Sequence, residues 1–234
     1  MCSMSVDNTM EKLEYIPVNM DLEEIKKRLH IKKTGDWIHV QTLVKEIRPL
    51  ISAKAVYKVC FIDSKQEDAI TIEGTCLKSR VLRKNLNTVE RVFPHVVTIG
   101  NRLEDTMRAC TDLLKKYYLD TIANVCLTAT QKYLKEHLRS RYALDGISYI
   151  SPGSLKDWPI EEQGSLFSIL GDVESSIGVR LNETLVMSPN KSLSGIYFPT
   201  DIPFYSCQLC RREDCSVRKA PYDETLARDY GIAE

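Results

Sequence analysis

Near the C-terminus, Cys207, Cys210 and Cys215 stand at C-x2-C-x4-C spacing in the run "CQLCRREDC". Thiolates at such short intervals hold zinc in knuckles and iron in iron–sulfur sites, and a tetrahedral ion asks for a fourth donor. Cys76, Cys2, His95 and a carboxylate such as Asp214 are the candidates, beside an open coordination position or one filled by another chain. Arg211, Arg212, Arg218 and Lys219 surround the thiols, and neighbouring cations favour the thiolate form that metal binding and redox chemistry require. The expectation is a metal-binding tail, zinc or an iron–sulfur cluster, with free thiols or a regulatory disulfide as the alternative.

Such a tail must be positioned by the rest of the 234 residues, enough for one large domain or two small ones. Lys plus Arg and Asp plus Glu each total 32, so no overall basic field points to nucleic acid or to an anionic membrane. The first residues lack the apolar core of a secretory signal, and no apolar run reaches the roughly 18 residues of a membrane span. A cytoplasmic location is expected, where thiols stay reduced; the eight cysteines then read as core residues or metal ligands, not a disulfide framework.

Along the chain, Asp21 and Glu24 read as a capping box opening a helix over "MDLEEIKKRLHI". After a stop at Thr34-Gly35, Ile38, Leu43, Ile47 and Leu50 recur at helical spacing. "AVYKVCFID" and "AITIEG" predict a hairpin, and "LKSRVLRKNLN" a helix whose Lys78, Arg80, Arg83 and Lys84 form a solvated basic face. "ERVFPHVVTIG" is the clearest strand. Asn101 and Glu104 then open a forty-residue helical stretch without Gly or Pro, as one bent helix or two. Cys110 and Cys126 fall on apolar stripes, Cys60 lies in a strand between Val59 and Phe61, and all three read as inert core thiols. "GISYISPGS" predicts a strand and turn, "IEEQGSLFSIL" a short helix, and "VRLNETLVMSP" with "SLSGIYFP" a hairpin. Strands mixed with helices without a βαβ rhythm favour an α+β fold.

Four segments come in a telling order: "FPHVVTIG", a helix containing "YYLDTIANVC", "SPGSLKDWPIEEQGSLFSIL", and "IGVRLNETLVMSPNKSLSGIYF". Together they resemble the activation domain of cobalamin-dependent methionine synthase. The most specific element is "MSPNKSLSGIYF", which matches that family's Met-x-Pro, Ser-x-Ser-Gly and Tyr-Phe pattern. The resemblance divides the chain into an N-terminal helical and hairpin region over 1–88, an activation-domain-like core over 89–206, and a Cys-rich tail over 207–234. It implies a twisted antiparallel sheet with flanking helices.

It also implies a function: a free-standing accessory of cobalamin-dependent methyl transfer that caps a partner's corrinoid and assists its methylation or reductive reactivation. S-adenosylmethionine would be bound by the cap, cobalamin by a partner corrinoid protein or methyltransferase, and electrons supplied by a separate donor protein. The implied binding residues are Tyr149, Ser151, Pro152, Gly153, Ser154, Phe204 and Tyr205, with the backbone amides at Pro152-Gly153 as a cradle and no catalytic acid or base. The chain departs from the family where an Arg should hold the ligand's carboxylate, since Tyr149 stands there, and Ser154 replaces a Tyr. Arg180 is a candidate substitute. No D-x-H-x-x-G corrinoid motif surrounds His30, His39, His95 or His137, so a corrinoid would belong to a partner. The alternative is a redox- or metal-responsive small-molecule-binding protein that keeps the fold. A nucleic-acid module built on Arg211, Arg212 and the 78–84 face is disfavoured by zero net charge.

Overall fold

The computed structural model of the protein describes residues 9–215 and 217–232; Cys2 lies outside them. In chain order the strands are β1 (Glu11–Leu13), β2 (Lys54–Tyr57), β3 (Cys60–Lys65), β4 (Ala69–Ile72), β5 (Thr75–Lys78), β6 (Arg91–Thr98), β7 (Ile147–Ile150), β8 (Arg180–Leu181), β9 (Met187–Ser188) and β10 (Ser192–Pro199). The helices are α1 (Leu22–Arg28), α2 (Thr34–Ile47), α3 (Arg80–Asn85), α4 (Arg102–Ala109), α5 (Leu113–Arg141), α6 (Gln163–Leu170), α7 (Val173–Ile177) and α8 (Glu224–Asp229). The class is α+β, as expected.

β6 is the central strand of a curled antiparallel sheet. Its one edge pairs with β2 and then β3, its other edge with β10, and β7 pairs with the far edge of β10. β2 and β3 keep a single register against β6, with Tyr57 opposite His95 and Cys60 opposite Val92. They part at Lys58 because its partner is Pro94. Lys58 N–H donates to Pro94 O at 3.0 Å, but proline has no N–H to return. After Phe61, which still pairs with Arg91, β3 turns to pair with β4, and β4 pairs with β5. The sheet therefore runs across the 88/89 boundary drawn from the sequence.

Alternation along β6 builds a core on each face. Phe93 and Val97 face a layer containing α1, α2 and α5, while Val92 and Val96 face α3, α6 and α7. The long helical stretch divides into two helices, as one of the two readings held. Asp112 accepts from Leu114 N and Lys115 N and opens α5 at the break. Cys126 and Cys60 are core thiols, each pushed up to about 12 by burial. Cys110 is not: it sits half-exposed at the α4–α5 break.

Several local expectations are corrected. Thr34 and Gly35 begin α2 instead of ending the preceding element, and Ile38 is exposed while Val40, Leu43, Val44 and Ile47 are buried. Asn101 makes no cap; Glu104 instead accepts from Asn190 N and pairs with Arg108. Lys78 belongs to β5, and Ser79 caps α3. β8 and β9 pair only with each other, and β10 lies in the main sheet, so the expected hairpin between them does not form. Among the described residues no helix is long and apolar enough to cross a membrane.

His95 lies fully buried at the sheet centre, stacked on Tyr197 with ring centroids 4.3 Å apart, and burial pushes it down to about 3. Between about 3 and its ordinary 6.5, the unfolded chain binds a proton that the folded one refuses. The stability His95 contributes is thus complete above pH 6.5 and declines as pH falls, by about 1.4 kcal/mol per unit. Urea unfolding measured across this interval should show a shallower pH slope for His95→Phe than for wild type. Equal slopes would show that His95 is not protected in the folded state.

Candidate functional site

Glycine decides how closely the strands around the site approach. A Cβ on Gly195 of β10 would lie 2.5 Å from Ile150 O, and one on Gly146 would lie 2.0 Å from Thr200 O. Neither contact is tolerable, so both positions require glycine for the end of β7, β10 and the 200–205 segment to close up. The serines of "SLSG" fasten β10 from one face. Ser192 Oγ donates to Pro189 O at 2.8 Å and Ser194 Oγ to Gln163 Oε1 at 2.8 Å. On the opposite face, Tyr197 and, across the register, Tyr149 of β7 point toward α5.

There a cleft of about 520 Å³ opens between the C-terminal half of α5, β7 and residues 200–205. Its size is that of a small-molecule site. Tyr197, 1% exposed, forms part of the lining and donates from its hydroxyl to Gln131 O at 3.2 Å. Gln131 also lines the cleft. It is 6% exposed, and its Nε2 has no hydrogen-bond partner among the described residues. An orphaned buried amide is costly, and a ligand acceptor in this cleft would satisfy it. Arg139 holds Glu136 at 3.1 Å and Asp145 O at 3.2 Å, which neutralises one acid of the wall. Lys132, Lys135 and Lys219 leave the remaining wall cationic against Asp145 and Asp201.

Lys219 reaches this cleft from the tail. Its Nζ lies 3.2 Å from Tyr149 Oη and 5.2 Å from the ring centroid, a cation–π placement. Its backbone N–H donates to Cys207 Sγ at 3.4 Å. The preceding residue, Arg218, organises the whole loop. Its guanidinium donates to Cys207 O and Ala220 O from Nη1, and to Cys210 O and Arg212 O from Nη2. The loop that carries the three thiols is thus wound around a fixed organic cation.

That arrangement answers the metal expectation. Among the described residues no group of three or more His, Cys, Asp or Glu side chains is arranged to hold a metal, and Cys207, Cys210 and Cys215 form no such group. The loop's carbonyls turn inward onto Arg218, and a divalent ion in their midst would face a like charge. Nor do the described candidates supply a fourth donor; Cys2 lies outside the described residues. His95 is stacked in the sheet core, Cys76 is an exposed residue of β5, and Asp214 is exposed. Among the described residues no zinc or iron–sulfur site is assembled.

The expected binding residues separate into two places. Tyr149, Phe204 and Tyr205 line the α5–β7 cleft; Gly153 and Ser154 line a second cleft described below. Ser151 and Pro152 line neither of these two clefts. The backbone at the Pro-Gly turn is no cradle, because Gly153 N donates to Trp158 O at 2.8 Å and Ser154 N to Ser151 O at 3.2 Å. Arg180, paired with Glu174 at 3.7 Å, is not part of the cleft lining. Gln131 and Lys132 carried no distinguishing sequence signal, being two of many polar residues along α5. Lys219 had none either, since only the folded tail brings it there.

If Arg218 holds the loop, Arg218→Ala leaves its carbonyls unsatisfied and costs about 2 kcal/mol. Limited proteolysis within residues 205–222 should become faster, and a chelator should leave the wild-type melting temperature unchanged. A chelator-sensitive melt, or proteolysis indifferent to the substitution, would contradict this.

No protein-family model matches the chain, and no curated protein matches it. Among solved structures, it is similar to a crystal structure of the MetH reactivation domain bound to AdoHcy. The TM-score is 0.59 at 17% identity, covering 96% of this chain and 86% of that one. At that identity the likeness is one of fold. The chain carries, nearly end to end, the fold of the MetH reactivation domain.

Proposed function

We propose that the protein is an accessory of cobalamin-dependent methyl transfer. In this reading it caps a partner's corrinoid and binds S-adenosylmethionine in the α5–β7 cleft, assisting methylation or reductive reactivation of the partner. The observation that carries the reading is Lys219. Where the resemblance expects an arginine on β7, this chain has Tyr149, and the tail lays a lysine ammonium against that very tyrosine. A carboxylate held there would meet a cation whose aromatic seat fixes its position.

The neighbouring structure supports the same ligand class, since that MetH reactivation domain is bound to AdoHcy. Gln131 would offer its amide hydrogens, Lys219 its charge, and Phe204 and Tyr205 apolar surface. S-adenosylmethionine, when bound, supplies an activated methyl group. The chain's own residues position it and exclude water, with no acid–base step assigned to them. Cobalamin belongs to the partner, a corrinoid protein or methyltransferase, and a separate donor protein supplies electrons.

A second reading, a thiol-responsive binding protein, draws on the contact between Lys219 N and Cys207 Sγ, through which chemistry at the thiol would reach the cleft.

Calorimetry with S-adenosylmethionine and S-adenosylhomocysteine should give micromolar affinity. Lys219→Ala should weaken it by about tenfold or more, while Lys219→Arg retains it. A corrinoid-loaded methyltransferase should be retained on the immobilised protein. Absence of both ligand and corrinoid binding would overturn the proposal. Ligand binding abolished by alkylating Cys207, without corrinoid retention, would favour the second reading.

A further inference from the structure

A second cleft, of about 600 Å³, opens on another side of the Pro152-Gly153 turn, between α3, that turn and the tail. Its charges are lopsided in a chain whose acids and bases balance at 32 each. Arg80, Lys156, Arg211 and Arg212 line it, with Asp157 as the one acid among the described residues of the lining. These cations come from three stretches of chain far apart in sequence, so the fold has gathered them, at a cost in mutual repulsion.

Asp157 does little to cancel them, because its carboxylate is committed. It accepts from Ser79 Oγ at 2.5 Å and Val81 N at 2.9 Å, anchoring the start of α3, and its side chain is 8% exposed. Arg80 touches it through Nε at 3.4 Å, with 57% of the Arg80 side chain still exposed. Arg211 is fixed at the wall, its Nε 3.3 Å from Tyr222 Oη and its guanidinium 5.7 Å from that ring. Lys156 and Arg211 also have partners within the protein and are not vacant donors. Arg80 and Arg212 supply the exposed guanidinium groups. Leu155, Leu209 and Tyr222 add an apolar floor to the cationic rim.

We infer that this second cleft binds a phosphate group carried by a small molecule. Guanidinium forks match phosphate oxygens bidentately, and a cleft of this size with an apolar floor suits a compact ligand. The site is separate from the α5–β7 cleft, with which it shares no lining residue.

Calorimetry with pyrophosphate and with adenosine triphosphate tests this on the full chain. Binding should be detected for at least one of them below about 1 mM, and it should persist when S-adenosylhomocysteine is present. Arg212→Ala and Arg80→Gln should each weaken it by about fivefold or more, while Lys132→Ala in the other cleft leaves it unchanged. Equal affinities would identify the phosphate alone as the ligand; tighter nucleotide binding would add a base against the apolar floor. No heat with either probe, or binding unaffected by both arginine variants, overturns the inference. So does tighter binding of a single-stranded oligonucleotide, with a steep salt dependence, since the cleft would then serve a nucleic acid.

Discussion

The close approach of the end of β7 to β10 at Gly195 sets the geometry of everything functional here. With no Cβ, the Ile150 carbonyl can occupy space that any other residue at 195 would fill. Because β7 pairs with β10 from Ile147 to Ile150, Tyr149 and Tyr197 lie on one face, their rings tilted against each other with centroids 5.5 Å apart. The cleft is the gap those two rings leave beneath the helix. The serines on the opposite face of β10 pin it to α6 and to the loop before it, so the strand cannot rotate to relieve the approach. A short motif thus fixes strand spacing, face and anchoring together.

The tail plays the complementary part. It docks through Leu209 and Ala227, with Tyr222, Leu226, Tyr230 and Ile232 packed beside them. One guanidinium orders the thiol-bearing loop, tying four carbonyls and leaving Lys219 aimed at Tyr149. The same fold leaves Arg80 and Arg212 on the other side of the Pro-Gly turn. A chain of zero net charge therefore presents two separate cationic concavities, each assembled from residues distant in sequence.

Much of this fold was legible because local chemistry and long-range packing agreed. The alternation of β6 and the capping aspartate of α1 both mean in three dimensions what they mean in one. Failures came where a local signal had a stronger tertiary competitor. Asn101 and Glu104 spell a capping box, yet Glu104 is drawn off by the Asn190 amide. Cys207, Cys210 and Cys215 spell a metal knuckle, yet Arg218 takes the centre of their loop. Of the site, the aromatic residues on β7 and beyond β10 could be named in advance, because they sit in a recognisable ordered set of segments. Gln131 and Lys219 could not, because an orphaned amide and a lysine seated on a distant ring exist only after folding.

The surface that an adenosyl amino acid touches decides whether the α5–β7 cleft is its site. Hydrogen–deuterium exchange with and without S-adenosylhomocysteine reads this directly. Protection is expected over residues 128–139, 145–149 and 200–205 and around Lys219. Protection confined to the second cleft, around 153–157 and 209–212, or none anywhere, would contradict it.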